Sequence, residues 1–288
     1  EATHAQRFVR DGYLVVRGLL NTSDLARLSQ DVLKLARGGY PCKSLKPAPD
    51  SVSDDACLRQ LLCIHQPHFL SPVIRDFVSH PSIVEVLAQI TGAHLPEGHW
   101  DGSVKCMQSM FFVKGPGRAG QAWHQDEHYI PTRDRSLLGA WIAVDDANIE
   151  NGCLWVLPGS HRRGVLYPVR DHKNPDFDFA TEAYGFDDSA EVPVEVPRGS
   201  VVFFNGYLLH RSKPNKSRGY RRALVNHYMT AQSLLPWGEG KKDGIAVSDN
   251  RRVIVVSGED PYASWKPLEV PEDDVYLRTD ARNADTAD

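Results

Sequence analysis

Two histidines and one aspartate place the strictest demand on how this chain folds. His124 and Asp126 lie two residues apart in Trp123-His124-Gln125-Asp126, and His210 stands far downstream, after the apolar run Val201-Val202-Phe203-Phe204. Two imidazoles and a carboxylate are the set that holds one face of an Fe(II) ion and leaves the rest open. On an extended strand, side chains at i and i+2 share a face, so His124 and Asp126 can converge with backbones roughly 6–7 Å apart. His128 shares that face, but on a straight strand its backbone lies roughly 13 Å from that of His124. Metal–nitrogen bonds of about 2 Å cannot close that gap. The third ligand therefore has to come from another strand. His210 fits, because it ends a run that reads as a buried strand.

The rest of the chain reads as helices first and strands later. Ala2–Asp11 is a short helix and Gly12–Val16 a strand. Asn21-Thr22-Ser23-Asp24 supplies N-cap residues for a helix carrying Leu25, Leu28, Val32 and Leu35 at 3.6-residue spacing, stopped by Gly38-Gly39. Pro72 and Pro81 stand at first helical positions, and the second of these helices ends near Gly92. From Val104 onward, short strands and turn signals such as Glu150-Asn151-Gly152 and Arg198-Gly199 suit a jelly-roll barrel. We expect one domain over 1–288. Helical N-terminal support spans about 1–95, the jelly-roll core about 100–230, and a C-terminal extension, 231–288, packs back on the core. The extension's Trp237, Tyr262, Trp265 and Tyr276 suggest contact with the domain or a second subunit, so a monomer or homodimer is expected; 279–288 reads as a disordered end.

Composition narrows the class further. A net charge of −4 over 288 residues argues against a nucleic-acid footprint. No apolar run reaches the ~18 residues of a membrane span, and the N-terminus has no signal-peptide core. The five cysteines include no CxxC and are expected to be reduced thiols, which points to the cytoplasm.

Three segments carry a family likeness: His124-Gln125-Asp126-Glu127-His128-Tyr129, then Gly139-Ala140-Trp141-Ile142-Ala143, then Glu150-Asn151-Gly152-Cys153-Leu154-Trp155-Val156-Leu157-Pro158-Gly159-Ser160-His161. With His210-Arg211-Ser212 and Gly219-Tyr220-Arg221, they resemble the phytanoyl-CoA dioxygenase family of Fe(II)/2-oxoglutarate oxygenases, from about Phe8 to about Thr230. The resemblance implies a mainly β fold with flanking helices around a double-stranded β-helix (jelly-roll, cupin-like) core. It implies His124, Asp126 and His210 as the catalytic iron ligands and Arg221 as the partner of the 2-oxoglutarate distal carboxylate. An arginine fork suits a carboxylate bidentately. Ser212, Trp141 and Met110 match further cosubstrate contacts. Gln108 shares the Met110 face by period two and has an amide suited to a carboxylate. His65 is not counted as a ligand.

The cofactor set implied is Fe(II), 2-oxoglutarate and O₂, with ascorbate as a stimulant. The reaction implied is hydroxylation of an aliphatic C–H bond on a small organic or acyl-type substrate, with 2-oxoglutarate and O₂ converted to succinate and CO₂. Related halogenases replace the carboxylate ligand with a small residue, so Asp126 favours hydroxylation. Two rivals share the ligand set: a Zn hydrolase, and a non-catalytic 2-oxoglutarate- or metal-binding protein on the same fold. Arg221 argues against the first, because hydrolysis needs no dicarboxylate anchor. The polar, aromatic-dotted loop Arg170–Ala190 reads as a substrate lid. Lys213, Lys216, Arg218 and Arg222 read as a solvated basic cluster, His161 as structural, and His128 as a pocket residue or a core histidine.

Overall fold

The structure, a computed structural model, describes residues 2–42, 47–178, 181–235, 249, 251–264 and 275–278. Helix α1 (His4–Asp11) opens on a capping box: Gln6 N donates to the Thr3 hydroxyl (3.2 Å), and Thr3 N donates to Gln6 Oε1 (2.9 Å). Strand β1 (Tyr13–Val16) follows. Helix α2 (Thr22–Ala36) is capped by Asn21, answered by Asp24, and buries Leu25, Leu28, Val32 and Leu35 as their spacing requires. Next come α3 (Asp54–Arg59), β2 (Cys63–His65), α4 (Pro72–Val78) and α5 (Pro81–Ile90), the last two with proline in the first turn.

Strands then take over. They are β3 (Val104–Lys114), β4 (Gln121–His124), β5 (Leu138–Ala143), β6 (Leu154–Val156), β7 (Val169–Arg170), β8 (Glu182–Ala183), β9 (Val192–Val194), β10 (Val201–Asn205), β11 (His210–Ser212), β12 (Arg221–Thr230), β13 (Ile254–Ser257) and β14 (Tyr276–Arg278). Among the described residues, one antiparallel sheet runs β1-β10-β5-β12-β3-β2-β14, with β13 also on β3, and a smaller sheet runs β4-β11-β6-β9. This is a mainly β jelly-roll with flanking helices. Strands β1 and β2 come from the helical N-terminal stretch yet join the large sheet, on β10 and β3. From the C-terminal extension, β13 and β14 join it on β3 and β2. Trp237, Trp265 and 279–288 lie outside the described residues. Those described include no helix long and apolar enough to cross a membrane, and no disulfide joins any two of the five cysteines there.

The alternation of the large sheet explains the two layers of core. Ala140, Ile142, Val201, Phe203 and Leu224 face the helices, packing with Leu28, Phe77 and Ile83. Their neighbours Trp141, Ala143, Val202, Phe204, Ala223 and Val225 face the small sheet and meet Leu154, Val156 and Val194. A sheet covered on both faces reads as a continuous apolar run, which is why Val201–Phe204 shows no alternation in the sequence. One expectation is corrected here. His210 does not end that run; the run is β10, and the chain turns through Gly206 and Leu208 before His210 opens β11.

The C-terminal extension is fastened by charge. Lys105 on β3 is fully buried, and its ammonium pairs with Asp249 (2.7 Å) and Asp260 (3.2 Å). Removing one partner of a buried ion pair strands the others. Lys105→Met is therefore expected to lower unfolding free energy by roughly 3–5 kcal/mol, read as a lower urea midpoint.

Candidate metal centre

Strands β4 and β11 are antiparallel, and His124 and His210 are direct cross-strand partners with ring centroids 4.1 Å apart. Each ring is fixed the same way. His124 Nδ1 bonds the Ala122 carbonyl (2.8 Å), and His210 Nδ1 bonds the Leu208 carbonyl (3.0 Å). A ring nitrogen that donates to a carbonyl leaves the other as the lone-pair ligand. Both Nε2 atoms face Asp126 Oδ1, at 3.5 Å from His124 and 3.6 Å from His210. The three ligand atoms lie within 4.8 Å of one another, close enough to hold one ion.

The route to that convergence differs from the strand expected. Strand β4 stops at His124; Gln125 is still extended, and Asp126 begins a 3₁₀ turn, Asp126–His128. The turn, rather than strand period two, folds the carboxylate back beside the imidazoles. It also carries His128 out to solvent, against the ring of Tyr129 (5.0 Å), so His128 is not a core histidine. Burial, and then the neighbouring His210, push the His124 ring down to about 4. Burial would raise the Asp126 carboxyl, but the His210, His227 and His124 rings outweigh it and hold it well below the usual carboxylate range. An unprotonated imidazole and an ionised carboxylate are what a divalent cation binds.

A second polar group lies farther along the same interior. Arg221 opens β12 opposite Lys114 of β3. Its guanidinium lies over the Trp141 ring (5.5 Å) and is 4 % exposed. Its Nε has no hydrogen-bond partner, and among the described residues Arg221 has no carboxylate within ion-pair reach. Burial pushes its pKa down to about 10. Lys114, also buried, donates to the Ser212 hydroxyl (2.8 Å) and the Lys213 carbonyl (2.8 Å). Ser212 also accepts from Gln121 N (3.2 Å). With two donors already on its oxygen, the Ser212 proton is left to donate elsewhere. Arg221, Trp141, Ser212 and Lys114 thus form one group.

Gln108 and Met110 point inward as parity requires, and the Gln108 amide donates to Met110 Sδ (3.2 Å). Gln108 Oε1 accepts from Arg251 (2.6 Å), a residue of the C-terminal extension. Gln108 sits six residues along β3 from Lys114, roughly 20 Å by strand rise, and lies opposite His227. His227 and Lys114 were missed in the sequence. Both carried a signal: His227 has the parity of Arg221 on β12, and Lys114 the parity of Gln108 and Met110 on β3. His227 Nε2 donates to Asp126 Oδ2 at 2.9 Å.

The Arg170–Ala190 loop is partly ordered by β7 and β8, which pair with each other. Phe186 packs edge-on against Trp123 (5.8 Å), and Trp123 Nε1 donates to Asp188 (3.0 Å). Phe179 lies outside the described residues. The basic cluster is dispersed: Lys213 pairs with Glu191 (3.0 Å) and Arg222, on the other face from Arg221, pairs with Asp145 (2.7 Å). His161 is structural, its Nε2 on the Val9 carbonyl of α1 (3.0 Å).

A jelly-roll with a His-Asp-His cluster beside a buried arginine defines a class of metal-site β proteins, and comparison with known proteins narrows it. The phytanoyl-CoA dioxygenase family model matches residues 8–223, and the chain belongs to that family. It is 36% identical over 176 residues to a Bos taurus phytanoyl-CoA dioxygenase domain-containing protein 1, covering 59% of this chain and 57% of that one. It is 28% identical over 244 residues to the Bos taurus peroxisomal phytanoyl-CoA dioxygenase, covering 78% and 67%. The chain spans less than two thirds of the length of the domain-containing relatives it matches, 59% for that of Rattus norvegicus. Among solved structures, the non-heme monooxygenase ThoJ shares the fold at TM-score 0.66 and 20% identity, over 94% of this chain and 90% of that one. So does the epimerase SnoN, solved with Fe3+, alpha ketoglutarate and nogalamycin RO, at TM-score 0.61 and 19% identity, over 95% and 96%.

The three clustered side chains and the exposed one should part company in metal binding. His210→Ala is expected to weaken Fe(II) binding by more than the ~10–100-fold typical of losing an outer partner. His128→Ala should leave it within about twofold of wild type, since an exposed side chain away from the cluster falls below that range. Anaerobic competition with a chelator reads both.

Proposed function

We propose that the protein is an Fe(II)/2-oxoglutarate-dependent dioxygenase that hydroxylates an aliphatic C–H bond of a small organic or acyl-type molecule. The observation that carries this reading is the pairing of the His124-Asp126-His210 cluster with a buried arginine that, among the described residues, has no acid within ion-pair reach. Burying a guanidinium without a counter-charge is costly, by several kcal/mol even after relaxation. A ligand with a free carboxylate answers that cost, and 2-oxoglutarate has one carboxylate for the metal end and one for Arg221. The donor set fits the ion as well: two imidazoles presenting Nε2, and one carboxylate oxygen between them. Hydrolysis by Zn would leave Arg221 without a task.

His124, Asp126 and His210 would hold the ion. Bound Fe(II) with 2-oxoglutarate supplies O₂ activation, in which 2-oxoglutarate and O₂ become succinate and CO₂ and one oxygen atom enters the substrate as hydroxyl. Arg221, with Ser212 donating and Trp141 beneath, takes the distal carboxylate. Lys114 fixes the Ser212 oxygen from behind, so that its proton points to the ligand. Met110 and Gln108 line the wall nearer the metal, where the keto-acid end and the substrate meet. Trp123 and Phe186 pack together on the outer face of β4, so the Arg170–Ala190 loop braces the strand that carries His124. Retention of Asp126 leaves no vacancy for halide and favours hydroxylation.

Anaerobic titration of the Fe(II)-loaded protein with 2-oxoglutarate tests the reading. The weak visible charge-transfer band of the chelate should appear in wild type. Arg221→Ala should need about 10²-fold more 2-oxoglutarate, the ~3 kcal/mol scale of a charge-assisted bidentate pair. Iron binding with no band in wild type would sink the proposal.

A further inference from the structure

We infer that His227 is the positioning residue that restricts Asp126 to one metal-facing oxygen. The inference rests on the proposed Fe(II)/2-oxoglutarate centre and deepens it. The two oxygens of Asp126 have separate tasks. Oδ1 faces both ligand imidazoles, at 3.5 and 3.6 Å, while Oδ2 faces away and accepts from His227 Nε2 at 2.9 Å. Among the described residues, His227 is the one side chain donating to this carboxylate.

The restriction matters because a carboxylate can bind a metal through one oxygen or two. The terminal torsion of aspartate is broad and two-fold, so packing alone holds it weakly. An ion held by two histidines and one carboxylate oxygen would keep room for 2-oxoglutarate and O₂. A second oxygen from Asp126 would take up part of that room. His227 prevents this by occupying Oδ2 with a hydrogen bond.

His227 stands on an interior strand, next to a bulge between His227 and Tyr228. Strand β12 lies between β5 and β3, and His227 pairs with Gly139 on one side and Gln108 on the other. Its side chain is 4 % exposed. Its Nδ1 is buried without a partner, so Asp126 is the group its ring serves. The same strand carries Arg221 six residues earlier, on the same face. One strand therefore supplies both the anchor proposed for the far carboxylate and the hydrogen bond that keeps the near positions open.

The test compares wild type, His227→Leu and His227→Gln as full chains. Glutamine keeps an N–H at a similar reach; leucine keeps bulk and removes the donor. Circular dichroism first establishes folding, and His227→Asn, too short to span the gap, replaces leucine if that variant does not fold. Co(II) is then added without 2-oxoglutarate, and its visible spectrum reads the coordination. The leucine variant should show a spectrum altered from wild type, and the glutamine variant should restore it. For the Fe(II) form, the leucine variant should bind 2-oxoglutarate roughly 10–100-fold more weakly, and the glutamine variant within about threefold of wild type. A leucine variant with the wild-type Co(II) spectrum and 2-oxoglutarate affinity would overturn the inference. So would a glutamine variant that behaves as leucine does, since packing rather than donation would then be at work. If wild type gives no Fe(II)–2-oxoglutarate band, the oxygenase reading fails, and the Co(II) spectra still decide the role of His227.

Discussion

The antiparallel register of β4 on β11 is the constraint on which the site depends. It sets His124 opposite His210, and each imidazole is then fixed by the carbonyl two residues before it. A slip of one residue would turn one of the rings to the other face of the sheet. The register is held by what surrounds it. Strand β11 also pairs with β6, where His210 meets Val156 and Ser212 meets Leu154, so the ligand strand is interior to its sheet. The turn in Glu150-Asn151-Gly152 leads into β6, with Asn148 and Asn151 bonding each other's backbone. Gly152 has φ +80°, and a side chain there would strike the Lys213 carbonyl, which Lys114 holds. The motif most specific in the sequence is thus the turn that brings β6 into place and lets β11 close on the Lys114 side.

The same alternation that builds the ligands fastens the loops around them. Gln125, between His124 and Asp126, points the other way, and its amide donates to the carbonyls of Val165 (2.9 Å) and Tyr207 (2.7 Å). Its oxygen accepts from Tyr167 N (2.8 Å). Arg211, between His210 and Ser212, pairs with Glu191 (2.6 Å) and lies over the Trp123 ring (4.5 Å). The inner face thus carries the clustered side chains, and the outer face is held to Val165, Tyr167 and Glu191. Loop order and the order of the clustered side chains are linked through shared backbone.

Legibility in the sequence followed locality. The caps at Thr3 and Asn21, the period of α2, and the proline starts of α4 and α5 depend on residues within one turn, and they were readable. The clustering of His124, Asp126 and His210 was readable because imidazole and carboxylate are chemically rare in an apolar setting. Three features were missed. The strand ending at His124 gives way to a turn that no proline or glycine announces, so period two placed His128 on the wrong side. The Val201–Phe204 run was read through to His210, although Asn205-Gly206 after it is a turn dipeptide. Arg251 reaches Gln108 from far downstream, and a contact of that range leaves no periodicity to read. His227 was available in principle from its parity with Arg221, but an imidazole that serves a ligand resembles one that merely fills the core.

Charge accounts for why this interior is built as it is. A sheet face made only of Val, Ile and Phe would be more stable than one carrying Lys114, Arg221, Gln108 and His227, because each buried polar group must recover its lost hydration. Lys114 recovers it from Ser212 and two backbone carbonyls, and His227 from Asp126. Arg221 does not recover it from any described acid, and Trp141 offers it only an aromatic face. The deficit stands on the strand whose His227 also bonds Asp126. Stability is given up at Arg221, and an anionic ligand bound there would restore it.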